Sequence, residues 1–210
     1  MNYLAHIYLA RHSDDAMLGA LLGDFVKPHS GDRFNAAIEA EILTHRKIDA
    51  FTDSHPQVLA AKALFDGPHR RYAGILLDVF YDHLLAKHWH HYSAVALEDF
   101  IERFYTALAE RALILPANLA RVAPWMIEQD WLGSYCDYAG VDLAIRRIST
   151  RLSKNGDVMR AALTDLKRHY APVETGFHAF FPELIAFVES RRLEQEQDEH
   201  MPGTGPAHPQ

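Results

Sequence analysis

The sequence predicts an all-α fold, a single-domain helical bundle, on three observations. Apolar residues recur at three- and four-residue spacing along nearly the whole chain. The strict alternation that marks half-buried strands is absent. Capping and helix-stopping residues cut the pattern into pieces of ordinary helix length. At 210 residues, 49% hydrophobic and 23% charged, the chain is long enough to bury a sizeable core as one domain, here 1–193.

The elements follow in order. Ser13-Asp14-Asp15 supplies an N-cap and first-turn acids for a helix through about Asp24, ended by Lys27-Pro28. A second runs from about Phe34 to Phe51. Ser54-His55-Pro56 caps a short third that stops near Gly67-Pro68. A long segment spans Arg70–Tyr92, then Leu97–Leu113, then a helix after Pro116. Segments near Val141–Leu152, Asp157–Tyr170 and Pro182–Leu193 complete the body. From Glu194 the composition turns to Glu, Gln, Asp, Pro and Gly, which predicts a disordered tail over 194–210.

Composition removes several classes of function. The net charge of -7 argues against nucleic-acid binding driven by bulk electrostatics. One cysteine, Cys136, excludes an internal disulfide framework and a Cys-built zinc site. No apolar run approaches the ~18 residues needed to span a bilayer, and no basic segment precedes the apolar start, so the expectation is a soluble cytoplasmic protein. Fourteen histidines remain to be explained.

Several polar residues lie where a core belongs. Ile75 to Leu85 is apolar around its circumference, yet Asp78 and Asp82 share one face of it, four residues apart. Two acids held together away from water need a positive partner, either an arginine or a divalent cation. On the Phe34–Phe51 helix, Ile38, Ile42, His45, Ile48, Asp49 and Thr52 form one inward stripe. For His45 and Asp49 alone, a core histidine paired with its own helix neighbour is the simpler reading. Asp24 continues the stripe of Met17 and Leu21, and His6 lies on an apolar face between Tyr3 and Leu9. Together they place carboxylates and imidazoles on the buried faces of four helices, as a metal site between facing helices requires. Such donors suit Mn²⁺, Fe²⁺ or Mg²⁺ rather than a thiolate-type site. The run Lys87-His88-Trp89-His90-His91 reads instead as mostly solvated, near a helix end, with only incidental metal binding.

These residues resemble the acyl carrier protein phosphodiesterases, relatives of the HD-domain phosphohydrolases. The family-like segments are Met1-Asn2-Tyr3-Leu4-Ala5-His6, Gly23-Asp24-Phe25-Val26, His45-Arg46-Lys47-Ile48-Asp49 with Thr52-Asp53, and Leu77-Asp78-Val79-Phe80-Tyr81-Asp82-His83. Gln129-Asp130-Trp131-Leu132 and Glu174-Thr175-Gly176-Phe177 add to them. The resemblance implies an HD-like fold and a role in fatty acid and lipid metabolism. It implies hydrolysis of the phosphodiester between 4′-phosphopantetheine and serine of holo acyl carrier protein, with Mn²⁺ preferred. The sequence departs from the HD pattern in having no His-Asp dipeptide, so ligands cannot be carried over from that superfamily.

The expected metal ligands are drawn from Asp24, His45, Asp78 and Asp82, with His6 as a further one. Asp24, Arg46 and His83 are the expected catalytic residues: Arg46 clamps phosphate, with Lys27 as the other candidate, and His83 protonates the leaving serine oxygen or orients a metal ligand from behind. Arg46 reads equally well as a surface partner of Glu39 or Glu41. Between Val141 and Arg168, seven basic residues face three acids, a local +4. This region, with Arg146 and Arg147 foremost, is the expected docking face for the acidic carrier protein. Two other readings stay open: a metal-dependent phosphohydrolase of nucleotides or small phosphodiesters, and a non-catalytic helical binding protein. Oligomeric state is not legible.

Overall fold

A computed structural model describes residues 1–27, 31 and 33–200, with side chains to 194. Eleven α-helices are labelled along it: α1 Tyr3–Leu9, α2 Asp14–Leu22, α3 Ala36–Ser54, α4 Pro56–Ala63, α5 Ala73–Lys87, α6 Leu97–Glu110, α7 Ala117–Glu128, α8 Tyr138–Ser149, α9 Gly156–Ala161, α10 Leu163–Arg168 and α11 Tyr170–His200. Single 3-10 turns at Arg70–Tyr72, Trp89–His91, Ala112–Ile114 and Gly133–Cys136 join several of them. There is no strand among the described residues, and no helix is long and apolar enough to cross a membrane.

Local chemistry sets the boundaries. Ser13 Oγ accepts the Ala16 amide, and Asp14 and Asp15 occupy the first turn of α2. Asn35 caps α3 by accepting the Ile38 amide. Within the expected Ser54-His55-Pro56 cap, His55 is the residue that caps α4, its Nδ1 accepting the Gln57 amide, with Pro56 at the first helical position, while Ser54 Oγ donates back to Ala50 within α3. Two expectations need correction. The Asp157–Tyr170 segment is two short helices, α9 and α10. Pro182 does not start a helix but lies inside α11, which runs through residues 194–200. Residues 201–210 of the expected tail lie outside the described residues.

The centre is α5, buried over Leu76, Leu77 and nearly every residue from Val79 to Ala86, as a helix apolar on all sides must be. Against it pack α1, α8 and the 3-10 turn Gly133–Cys136, with α2 between α1 and α3. Phe177, Phe180, Phe181 and Tyr81 close the core from the α11 side. The α2–α3 contact is tight because Gly19 has no side chain: a Cβ there would stand 2.6 Å from the Ile38 carbonyl and 2.8 Å from Glu41 Cβ. Backbone cannot yield as a flexible side chain can, so Gly19→Ala separates the two helices. The expected cost is about 1–3 kcal/mol in urea denaturation, the usual price of overpacking.

Candidate metal centre

Two imidazoles converge on one carboxylate. His6 on α1 and His45 on α3 stack face to face, ring centroids 3.8 Å apart and planes within 16°. Both point Nε2 at Asp49: His6 is 3.1 Å from Oδ1 and His45 is 3.2 Å from Oδ2. The one-turn spacing of His45 and Asp49 brings their donors together. Asp24, in the turn after α2, places Oδ1 3.7 Å from His45 Nε2. The Met1 ammonium lies 2.9 Å from Asp78 Oδ1 and 3.7 Å from Asp49 Oδ1. The imidazoles are buried, whereas Asp24, Asp49 and Asp78 are about 40% exposed. Solvent therefore reaches the cluster from its acidic side.

Two neighbours fix His45. Its Nδ1–H donates to the Ala20 carbonyl at 2.8 Å, leaving Nε2 to face the acids. Gly23 lets the ring lie against the α2 terminus, since a Cβ at that position would sit 2.2 Å from His45 Cγ. With its hydrogen on Nδ1, a neutral His45 turns a lone pair toward a carboxylate oxygen. A proton or a metal ion is needed between them. Burial works against the proton, but Asp49 and Asp24 win and raise the His45 pKa. Burial raises Asp49 too, yet hydrogen bonds with His45 and His6 hold it far below the usual carboxylate range. Asp24 is pushed up, chiefly by burial and further by Asp49 and Asp78, against the pull of His45.

His6 differs. Burial drives its pKa down to about 3, and its Nδ1 has no hydrogen-bond partner. Two imidazole nitrogens and a carboxylate within 4.8 Å of one another, one imidazole braced by a backbone carbonyl, form a donor set that fits a divalent cation.

Of the expected ligands, the structure brings His6 and His45 together on Asp49, which the simpler reading had left as a salt-bridge partner; Asp24 borders His45, and Asp78 is tied to the Met1 ammonium. Asp82 is a correction. Its Oδ2 accepts the Leu4 amide at 2.7 Å and its Oδ1 the Ala5 amide at 3.0 Å, so both oxygens are committed to the start of α1. The positive groups that face the Asp78–Asp82 pair are the Met1 ammonium, on Asp78, and two amides of α1, on Asp82. His83 is a second correction. Nδ1 donates to the Tyr135 carbonyl at 2.7 Å and Nε2 pairs with the Tyr170 hydroxyl at 2.9 Å, which leaves no nitrogen for a leaving group.

The expected cations are also redistributed. Lys27 and Arg46 are exposed, and neither makes an ion pair among the described residues. The surface pairing considered for Arg46 does not form either: Glu41 is held by Arg192 at 2.7 Å and Glu39 accepts the Phe34 amide. Arg146 is taken up by Asp142 on its own helix at 2.6 Å, and Arg160 by Asp157. Arg168 pairs with Asp66 and Asp165. Arg147 and Arg151 have no carboxylate partner among the described residues, and they line one cleft with Asn2, Tyr3, Trp131 and Tyr135. Arg147 lies 4.7 Å above the Trp131 ring. Tyr3 links cleft and cluster: burial first and Asp24 next raise its phenol, while a hydrogen bond with Arg151 lowers it. Arg151 stood in the basic run of the sequence, but nothing in its spacing set it apart. A larger cavity of about 580 Å³, lined by Leu97, Ile101, Tyr105, Ile127 and Cys136 among others, touches none of the cluster residues.

The family model for acyl carrier protein phosphodiesterase matches residues 1–184. The chain belongs to that family. It is similar to the acyl carrier protein phosphodiesterases of Serratia proteamaculans (31% identical), Yersinia enterocolitica (30%) and Escherichia coli O157:H7 (32%). Each comparison covers 92% of this chain and the whole of the relative. No solved structure matches.

Two predictions separate these roles. Asp82→Ala strips the acceptors from two buried amides and should cost about 2 kcal/mol or more in chelator-treated protein, by chemical denaturation. A loss seen only with metal present would return Asp82 to the ligands. The second concerns acid. Because the folded His6 pKa is depressed, its stabilising contribution is whole above the unfolded value of about 6.5 and is lost as pH falls toward about 3. His45, raised in the fold, has the opposite slope. Stability of chelator-treated His6→Asn should therefore fall less steeply with acid than wild type; parallel curves would remove His6 from the acid response.

Proposed function

We propose that this chain hydrolyses the phosphodiester that joins 4′-phosphopantetheine to serine in holo acyl carrier protein, releasing the apo protein. The observation that carries the reading is the convergence of His6, His45 and Asp49, with Asp24 and Asp78 beside them, in a member of this family. His6, His45 and Asp49 would hold a divalent cation, and the nitrogen-and-carboxylate set suits Mn²⁺. Such an ion, when bound, acidifies a coordinated water and offsets charge on phosphoryl oxygens.

The chain's own residues do the rest. Asp24, solvent-reachable and with its pKa raised, accepts the proton of the attacking water. The water oxygen bonds to phosphorus, the bond from phosphorus to the serine oxygen breaks, and that oxygen takes up a proton. Arg151 and Arg147 grip phosphate oxygens in the adjoining cleft, the role assigned to Arg46 and Lys27 from sequence alone. Trp131, under the Arg147 guanidinium, and Gln129 Oε1, which accepts from it at 2.6 Å, hold Arg147, and Tyr3 lines the cleft beside Arg151.

Carrier docking also uses what is left unpaired. Arg147, Arg151, Lys154 and Lys167 of the 141–168 region have no carboxylate partner among the described residues, so they present positive charge to an acidic protein within a screening length of ~10 Å. The reaction is read out by incubating the protein and Mn²⁺ with holo carrier protein and weighing the intact product. Wild type should remove the mass of the prosthetic arm. Asp24→Asn should slow this by about 100-fold or more while keeping helical circular dichroism, and Arg151→Ala should raise KM. A wild-type protein that leaves holo carrier protein intact but cleaves nucleotides or small phosphodiesters would replace the substrate; one that cleaves nothing would end the reading.

A further inference from the structure

A second group of donors stands at the other end of α5. His88, at the C-cap of α5, donates Nε2–H to Glu174 Oε1 at 2.8 Å. One turn further along α11, His178 packs its ring edge-on to His88 with centroids 4.6 Å apart. Donor atoms of His88, Glu174 and His178 all lie within 4.8 Å of one another. His91 stacks on His88 at 5.8 Å and is 6.4 Å from His178, so a fourth imidazole borders the group. The His178 Nδ1 is engaged by the Tyr92 hydroxyl at 3.2 Å, which leaves Nε2 as its outward donor. A hydrogen bond on the rear nitrogen is the usual brace of a metal-bound imidazole.

We propose that His88, Glu174 and His178 form a second metal site, selective for a zinc-class divalent cation, with His91 or water as the fourth ligand. Where Asp24 and Asp78 border the first cluster, a further imidazole, His91, borders this one, which shifts the preference from the harder cations toward zinc. Tetrahedral zinc with bonds of about 2.0–2.2 Å sets its donors roughly 3.3 Å apart. The His88–Glu174 pair therefore opens by about half an ångström as the ion takes the proton's place. Lys87 also reaches Glu174 Oε1, at 2.8 Å, but it is half-exposed on a flexible stem and keeps the Tyr170 hydroxyl at 3.0 Å as a partner. The ion would staple the α5 end to α11. Ten residues, ~15 Å of helix, separate His88 from Asp78, so this site is independent of the cluster around Asp49.

The test uses chelator-stripped full-length protein, equilibrated with zinc, desalted and analysed for zinc per chain, with cobalt(II) as a spectroscopic substitute. Wild type should retain an equivalent that both His88→Ala and His178→Ala lose, with affinity down on the order of 100-fold or more, and the intense visible bands of tetrahedral cobalt should go with it. Tyr92→Phe should weaken zinc by 10- to 100-fold, the range for loss of an outer partner. His45→Ala should leave this equivalent in place, and zinc should raise Tm in His45→Ala but not in the double variant His45→Ala/His178→Ala. His178 is partly exposed, so that variant keeps its helical circular dichroism. Equal zinc content and cobalt spectra in wild type and both histidine variants would overturn the proposal. So would a wild type that holds no zinc beyond what His45→Ala loses.

Discussion

Negative charge inside a helical bundle must be matched, and here the first helix does the matching. Asp82 has no exposed surface, a position that pushes its carboxyl up to about 7 even with two amides and the Met1 ammonium opposing the shift. Remove residues 1–9 and Asp82 becomes an uncompensated buried acid, while Asp78 loses the ammonium 2.9 Å away. The same segment delivers His6 to Asp49. Met1 and α1 thus supply an ammonium, an amide pair and an imidazole to three acids, and the seven-residue helix stays in place because of it. The packing of Leu4, Ile7 and Leu9 into the core gives the apolar half of that attachment.

Within this frame the imidazoles and acids divide the work by depth. His6 and His45 are out of contact with water, whereas the three acids near them are about 40% open. A carboxylate at a wet edge keeps part of its hydration and remains available to a cation or a water molecule. One at the dry centre, such as Asp82, has to be fully satisfied by protein. The nitrogen donors are dry, and one of them is tied to a backbone carbonyl. They do not reorient when a ligand arrives. That rigidity lowers the reorganisation needed for binding.

Sequence periodicity showed which side chains share a face, and that was enough for most of the helices and for the faces that carry the cluster. The stripe from Ile38 to Thr52 is inward as expected, and His6 and His45 do meet, with Asp24 beside His45. Periodicity does not give depth. Asp78 and Asp82 differ by one turn and look equivalent in the sequence, yet one reaches solvent and the other ends under α1. Nor does it give what a helix packs against, which is why Asp49 looked like a private partner for His45 until α1 brought His6 to its second oxygen. The same blindness hid the cleft that Arg151 shares with Arg147, Tyr3 and Trp131.

The absent His-Asp dipeptide has a physical counterpart here. Adjacent residues on a helix diverge by about 100°, so two donors next to each other in sequence need separate approaches to one ion. His45 and Asp49, a turn apart, present Nε2 and Oδ2 at 3.2 Å on the same face. The remaining donors then have to come from elsewhere in the chain, and they do: α1 places His6 on the second oxygen, and the turn after α2 places Asp24 at the rim. Gly19 and Gly23 are what allow α2 to lie close enough for that turn to reach. Small residues on one helix are thus the condition for polar residues on the next, because every ångström of added separation would let water between His45 and the Ala20 carbonyl that orients it.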